Sequence, residues 1–271
     1  LDIDGWISLA SQYGGIDRQT IPLELAASTL QAEQLLMLNR AFDRVALNLG
    51  LEGNDLNVNF DSEDLAGDIR YTRNDSGIQS LTANLQRLYM PEPLDSGVSM
   101  DTDPSTLPEM HFFVEDMSYL GLDLGETRIE AFPIGHGLRI ESVEAMSPQL
   151  SFQARGDWIS SDNGSRSDFD IVLTSESLGT LVKALDVSSV LEGGQTMVRY
   201  DAWWPGPPGA FSLAALNGEM TFSVINGRIL NADPGAGRVL GLMSVGALGR
   251  RLALDFSDVF NSGFGFDQAT G

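Results

Sequence analysis

The residues best suited by type and spacing to carry chemistry lie in Gly235-Ala236-Gly237-Arg238-Val239-Leu240-Gly241, a G-x-G-x-x-x-G run. After a strand and at the start of a helix, such a turn opens a dinucleotide-binding unit, with Asp255 or Asp258 as the ribose acid. The context fails, because only 30 of the 271 residues follow Gly241 and no βαβ alternation surrounds the run. Gly241-Leu242-Met243-Ser244-Val245-Gly246 is one residue too long for a nucleophile elbow. The only two histidines are His111 and His136, and neither has a placed nucleophile beside it. Carboxylates such as Asp61, Glu63, Asp64, Glu115 and Asp116 have the chemistry of glycosidase acids or calcium ligands. Among 38 acidic residues, however, adjacency says little. No catalytic residue, metal or cofactor is expected.

Charge and composition narrow the partners. The 38 acidic residues outweigh 16 basic ones, for a formal net charge of −22. Such a chain repels nucleic-acid backbones and anionic head groups, so binding driven by bulk charge is excluded. Cysteine is absent, which suits a reducing cytosol or an exported protein that avoids thiols. The longest apolar run, Val239 to Leu248, is far below the roughly 20 residues a membrane-spanning helix needs. A start at Leu1 with neither Met nor a leader reads as a fragment.

The elements that would position any site are mostly strands. Apolar residues alternate at period two in Leu56, Val58, Phe60; Ile69, Tyr71; Leu138, Ile140; Leu150, Phe152; and Phe169, Ile171, Leu173. The pattern continues in Val198, Tyr200, Ala202, Trp204; Met220, Phe222, Val224; and Leu252, Leu254, Phe256. Period two marks strands with one buried face, and the 29 glycines supply the turns between them. Three stretches depart from it. In 29–49, Leu35, Leu38, Phe42, Val45 and Leu49 form a stripe at helical spacing, which composition alone assigns to a helix. Ser177 to Leu185 and Pro234 to Arg251 also read as short helices, the latter with Arg250 and Arg251 at its end. Residues 91–110, acidic and proline-rich, read as a linker or loop between an N-terminal segment 1–90 and a C-terminal segment 111–271.

An alternating sheet of this size must cover its apolar face with a second sheet, with helices or with a ligand. At ~25 cal/mol per Å², leaving it bare in water would be very costly. The run Leu216 to Phe222, then Asn226 to Leu230, Asp233 to Leu242, Arg250 to Phe260 and Gly263 to Asp267 resembles the C-terminal region of the YhdP proteins. These are members of the AsmA-like superfamily that includes TamB. Trp204-Pro205-Gly206-Pro207-Pro208, Ser147-Pro148-Gln149-Leu150 and Gly156-Asp157-Trp158 are similar to that family too, and residues 1 to 110 more loosely.

The resemblance implies a periplasmic protein of Gram-negative bacteria, held in the inner membrane by a segment outside this chain. It implies a mainly β fold: an elongated antiparallel sheet curved into an apolar groove, a taco-like half-pipe, with one or two short helices including one at about 235–250. It makes 29–49 strands rather than helix. Phospholipid acyl chains would slide along the groove between inner and outer membranes without catalysis. The alternating residues above would line the groove. From its own residues, the 234–251 helix either touches a membrane through Arg238, Leu242, Arg250 and Arg251 or packs over the sheet. An envelope scaffold or outer-membrane assembly factor that binds other β-proteins is a second reading. A carbohydrate-binding β-sandwich, with Trp158, Trp203 and Trp204 stacking on sugars, is a third.

Overall fold

A computed structural model describes residues 29–52, 55–73, 79–94, 103–161, 164–177, 179, 191–212, 214–229 and 264–270. Thirteen strands follow one another: β1 (Thr29–Met37), β2 (Arg40–Glu52), β3 (Asp55–Asp61), β4 (Leu65–Arg73), β5 (Gln79–Tyr89), β6 (Glu109–Tyr119) and β7 (Leu122–Ile134). Then come β8 (Gly137–Met146), β9 (Leu150–Ser161), β10 (Gly164–Ser175), β11 (Leu191–Pro205), β12 (Asn217–Ile229) and β13 (Phe264–Thr270). They form one sheet whose spatial order is the chain order, with β1 and β13 at its two open edges. The mainly β expectation holds. Eleven neighbouring pairs are antiparallel, and β5 with β6 alone is parallel. Two short 3₁₀ turns, Pro104–Thr106 and Pro208–Ala210, interrupt the connections. The helices read at Ser177 to Leu185 and Pro234 to Arg251 lie outside the described residues, apart from Ser177 and Gly179.

The stretch with helical spacing is a hairpin. Leu38 and Asn39 both take positive φ, at 56° and 55°, the backbone of a two-residue turn whose twist matches the strands it joins. Leu35 then pairs directly with Phe42. Arg44, at φ 50°, kinks β2 and advances its alternation by one residue, so Phe42 is followed on the buried side by Val45 and Leu47. That three-residue step is what imitates a helix.

The sheet curls. Register shifts interrupt the β4–β5, β6–β7, β7–β8 and β8–β9 ladders, and each such bulge adds bend and twist to a sheet already twisted by its strands. Arg40 on β2 shows the result. β2 and β6 are four strands apart, about 19 Å across a flat sheet, yet the Arg40 guanidinium lies 5.2 Å from the centre of the Tyr119 ring on β6. It also donates to the Pro91 carbonyl, and Arg40 is 3% exposed. Leu35 and Phe42 are fully buried. Among the described residues, curvature and the returning segment at Met90 to Leu94, whose Met90 packs against their cluster, contribute to that cover. Two apolar clusters result. One is centred on Leu35, Phe42, Phe60, Leu65 and Val114, the other on Leu138, Trp158, Phe169 and Trp204.

Candidate functional site

Following the register from strand to strand shows that the apolar face is organised in continuous rows. Directly paired residues point to the same side of a sheet, as do residues two apart on one strand. The middle row runs Leu49, Val58, Ile69, Ala83, Phe112, Ile129, Val143, Ala154, Ile171, Tyr200, Met220, crossing β2 to β12 without a polar break beyond one phenol. Two residues along each strand lies a second row: Leu30, Leu47, Phe60, Gly67, Leu85, Val114, Thr127, Ala145, Phe152, Leu173, Val198, Phe222. On the other side runs a third: Leu51, Leu56, Tyr71, Leu81, Met110, Ala131, Ile140, Gly156, Phe169, Ala202, Gly218. At ~4.8 Å per strand the middle row is about 48 Å long, and at ~6.7 Å between rows the three span about 13 Å.

Burial changes sides along this wall. In the first half the second row is buried, from Leu47 to Ala145, while Leu56, Tyr71, Leu81 and Met110 of the third stay half-exposed. In the second half Ala131, Ile140, Phe169 and Ala202 of the third row are buried, and Phe152, Leu173 and Val198 of the second are half-exposed. The middle row connects the two. Every large side chain in it remains partly exposed, and only Ala83 and Ala154 are buried. A lane of partly exposed apolar side chains, interrupted at the buried Ala83 and Ala154, therefore crosses the sheet.

Apart from the Trp158 N–H, which has no acceptor among the described residues, the polar groups on this face are satisfied or neutral. The Thr127 hydroxyl donates to Gly125 O at 3.2 Å. Burial raises the phenols of Tyr71 and Tyr200 above their ordinary pKa, the nearby Arg73 partly opposing this at Tyr71, so both stay neutral in the wall. The opposite face carries the charge. Arg139 pairs with Asp157 at 2.9 Å, Arg155 with Asp170 at 3.3 Å, and Arg166 with Asp168. These line a shallow depression of about 580 Å³ with Trp203, whose ring lies 4.3 Å beneath the Arg166 guanidinium. Among the described residues no cluster of His, Asp and Glu is arranged to hold a metal.

The alternation read from the sequence gathers on one face. Phe60, Phe152, Leu173, Val198 and Phe222 fall in the second row, Val58, Ile69, Ile171, Tyr200 and Met220 in the middle, and Leu56, Tyr71, Ile140 and Phe169 in the third. Leu138 and Trp204 flank the third row, in the order Leu138, Trp158, Ser167, Trp204. Leu150 and Val224 lie at the other margin. Leu252, Leu254, Phe256, Arg238, Leu242, Arg250 and Arg251 are outside the described residues. Missed by the sequence reading was Leu47, while Leu49 was assigned to a helical stripe, both because of the kink at Arg44; also left out were β5 to β7, whose bulges break the alternation. Of the three tryptophans considered for sugar stacking, Trp158 and Trp204 are buried on the apolar face.

The sequence model of the YhdP protein family matches residues 1–271, the whole chain. The chain belongs to the YhdP family. Among curated proteins it is 31% identical over 116 residues to the intermembrane phospholipid transporter YhdP of Escherichia coli (strain K12). That match takes in 42% of this chain and 9% of the transporter, so the chain spans a small part of the relative's length. No solved structure matches. The YhdP family is thus reached from the whole sequence, and the apolar lane is the feature of this chain to set beside it.

Proposed function

We propose that this chain is a segment of a non-enzymatic lipid conduit, which carries phospholipid acyl chains along its apolar face between the inner and outer membranes of a Gram-negative envelope. The observation that carries this reading is the continuous apolar middle row, in which every large side chain is partly exposed. An acyl chain is about half the ~30 Å hydrocarbon thickness of a bilayer, so a lane of ~48 Å is some three chain lengths long. A pocket for one ligand has ends; this lane has none between β2 and β12. Apolar contact is non-directional and falls off only with lost area, so a chain can advance along equivalent rows without a deep minimum. The printed activity of the E. coli relative, intermembrane phospholipid transport, supports the same reading, and with it a periplasmic setting.

Ile171 is a partly exposed member of the row on β10, between Ala154 and Tyr200. Purified without detergent, the full chain is expected to carry phospholipid visible by native mass spectrometry, and Ile171→Asp to lose most of it while remaining folded by circular dichroism. Lipid-free protein, or equal lipid in the variant, overturns the reading.

A further inference from the structure

Trp158 holds a buried polar atom with no acceptor among the described residues. Its side chain lies on the apolar face of β9, 6% exposed, flanked across the strands by Leu138 and Ser167. Its neighbours in that row are satisfied: Trp204 Nε1 donates to Pro207 O at 3.1 Å and Ser167 Oγ to Gly206 O at 2.8 Å. Trp158 Nε1 has no acceptor among the described residues. A buried indole N–H normally finds one, and leaving a donor unpaired costs about 1–3 kcal/mol. Such an exception asks for an explanation, and an acceptor brought by a bound molecule supplies one.

What covers this corner is separable. The 3₁₀ turn Pro104–Thr106 rests on β7, β8 and β9, Pro104 is fully buried, and Leu107 packs against the cluster that contains Trp158. The hydrogen bonds of the turn close on itself. Ser105 donates from N and Oγ to Asp103 Oδ1 at 3.0 and 2.8 Å. Thr106 donates from N and Oγ1 to Asp103 O at 3.1 and 2.8 Å, and Leu107 N to Pro104 O at 3.4 Å. Among the described residues no hydrogen bond or ion pair ties Asp103 to Leu107 to the strands beneath. Among the described residues apolar contact alone seats the turn, so lifting it would break no hydrogen bond to them.

We propose that Asp103 to Leu107 is a removable cover over a hydrogen-bonding subsite, where the Trp158 N–H takes the ester carbonyl of an acyl lipid lying on the apolar face. This rests on the lipid-carrying reading above and adds a point of registration to it. The ester carbonyl is the first acceptor met at the root of an acyl chain. It is neutral, whereas seating a phosphate among Leu138, Ile140 and Leu107 would cost far more in lost hydration.

The test follows the four indole N–H signals of the ¹⁵N-labelled full chain, with Trp158→Phe assigning one of them. Three probes are added: a short-chain diacyl phosphatidylcholine below its micelle concentration, its diether analogue, and glycerol phosphate. The Trp158 proton is expected to move downfield with the diester and to stay with the other two. Trp158→Phe should weaken diester binding about five- to tenfold, the worth of one hydrogen bond, and leave diether binding unchanged. An equal response to the diether or to glycerol phosphate overturns the subsite, as does undiminished diester binding by Trp158→Phe. Leu107→Ala should speed diester loading, and an unchanged rate overturns the cover. A chain that binds no lipid of any kind sinks the conduit reading itself, whereas lipid bound equally well without the indole N–H sinks only this inference.

Discussion

Individual residues on the apolar face are fixed by what stands directly across from them. Gly156 pairs with Phe169, and a Cβ there would meet the Phe169 ring at 2.8 Å and collide with the Asp168 carbonyl. At Gly156 an aromatic ring thus fills the space left by a missing side chain, whereas at Gly67, paired with Phe60, the Asn84 carbonyl and Leu85 fill it. Gly156→Val is accordingly expected to cost about 1–3 kcal/mol through overpacking, read as a lower midpoint in urea unfolding. The tyrosines give a second prediction. Burial raises Tyr71 and Tyr200, and raises Tyr119 against the opposing Arg40. A phenol whose folded pKa lies above its unfolded value of about 10 binds its proton more tightly in the native state. Its contribution to stability is therefore complete below pH ~10 and is lost as pH rises through the folded value. The melting temperature should fall above pH 10, and Tyr71→Phe with Tyr200→Phe should blunt that fall. Tryptophan placement was legible only in part: alternation with Tyr200 puts Trp204 inside, but nothing near Trp158 in sequence announces that its N–H is left unpartnered.

At the scale of elements, legibility followed regularity. Where alternation runs unbroken, as in β10 to β12, the face of each residue could be read directly from the chain. Where one residue is added, it could not: Arg44 at φ 50° converts an alternating strand into one with helical spacing, and the turn residue Leu38 joins that false stripe although it is 50% exposed. A leucine at positive φ carries a steric cost of about 1 kcal/mol that asparagine or glycine avoids. Leu38→Asn is thus expected to stabilise the β1–β2 hairpin by about 0.5–1 kcal/mol, seen as a raised unfolding midpoint; a lowered one would mean that the leucine is held by contacts the turn geometry does not require. The parallel β5–β6 pair was equally hidden. Residues 91–110 have a linker's composition, yet Pro93 bridges to Arg40, Leu94 N donates to Asn39 O at 2.9 Å and Leu107 packs into a core cluster. Composition reports how little a segment can bury, and it is silent on what the segment rests upon.

For the whole molecule, the net charge of −22 and the apolar rows are complementary facts, because a sheet one layer thick can present a wet face and an oily one. The exposed ion pairs of the wet face contribute little stability individually. The oily face has no second layer among the described residues, and what distinguishes a conduit from an ordinary binding face is that positions far apart serve equally. Leu49 on β2, Ile129 on β7 and Tyr200 on β11 occupy the same row, and the path along the row between the outer two is about 43 Å at ~4.8 Å per strand. No single acyl chain of ~15 Å touches both. A photoactivatable benzoylphenylalanine placed singly at each of the three in the full chain should cross-link the same phospholipid class, while one at Asn59, on the charged face, should capture almost none. Labelling confined to one of the three would instead describe a pocket with a fixed occupant, because a chain that slides must visit every position of the row.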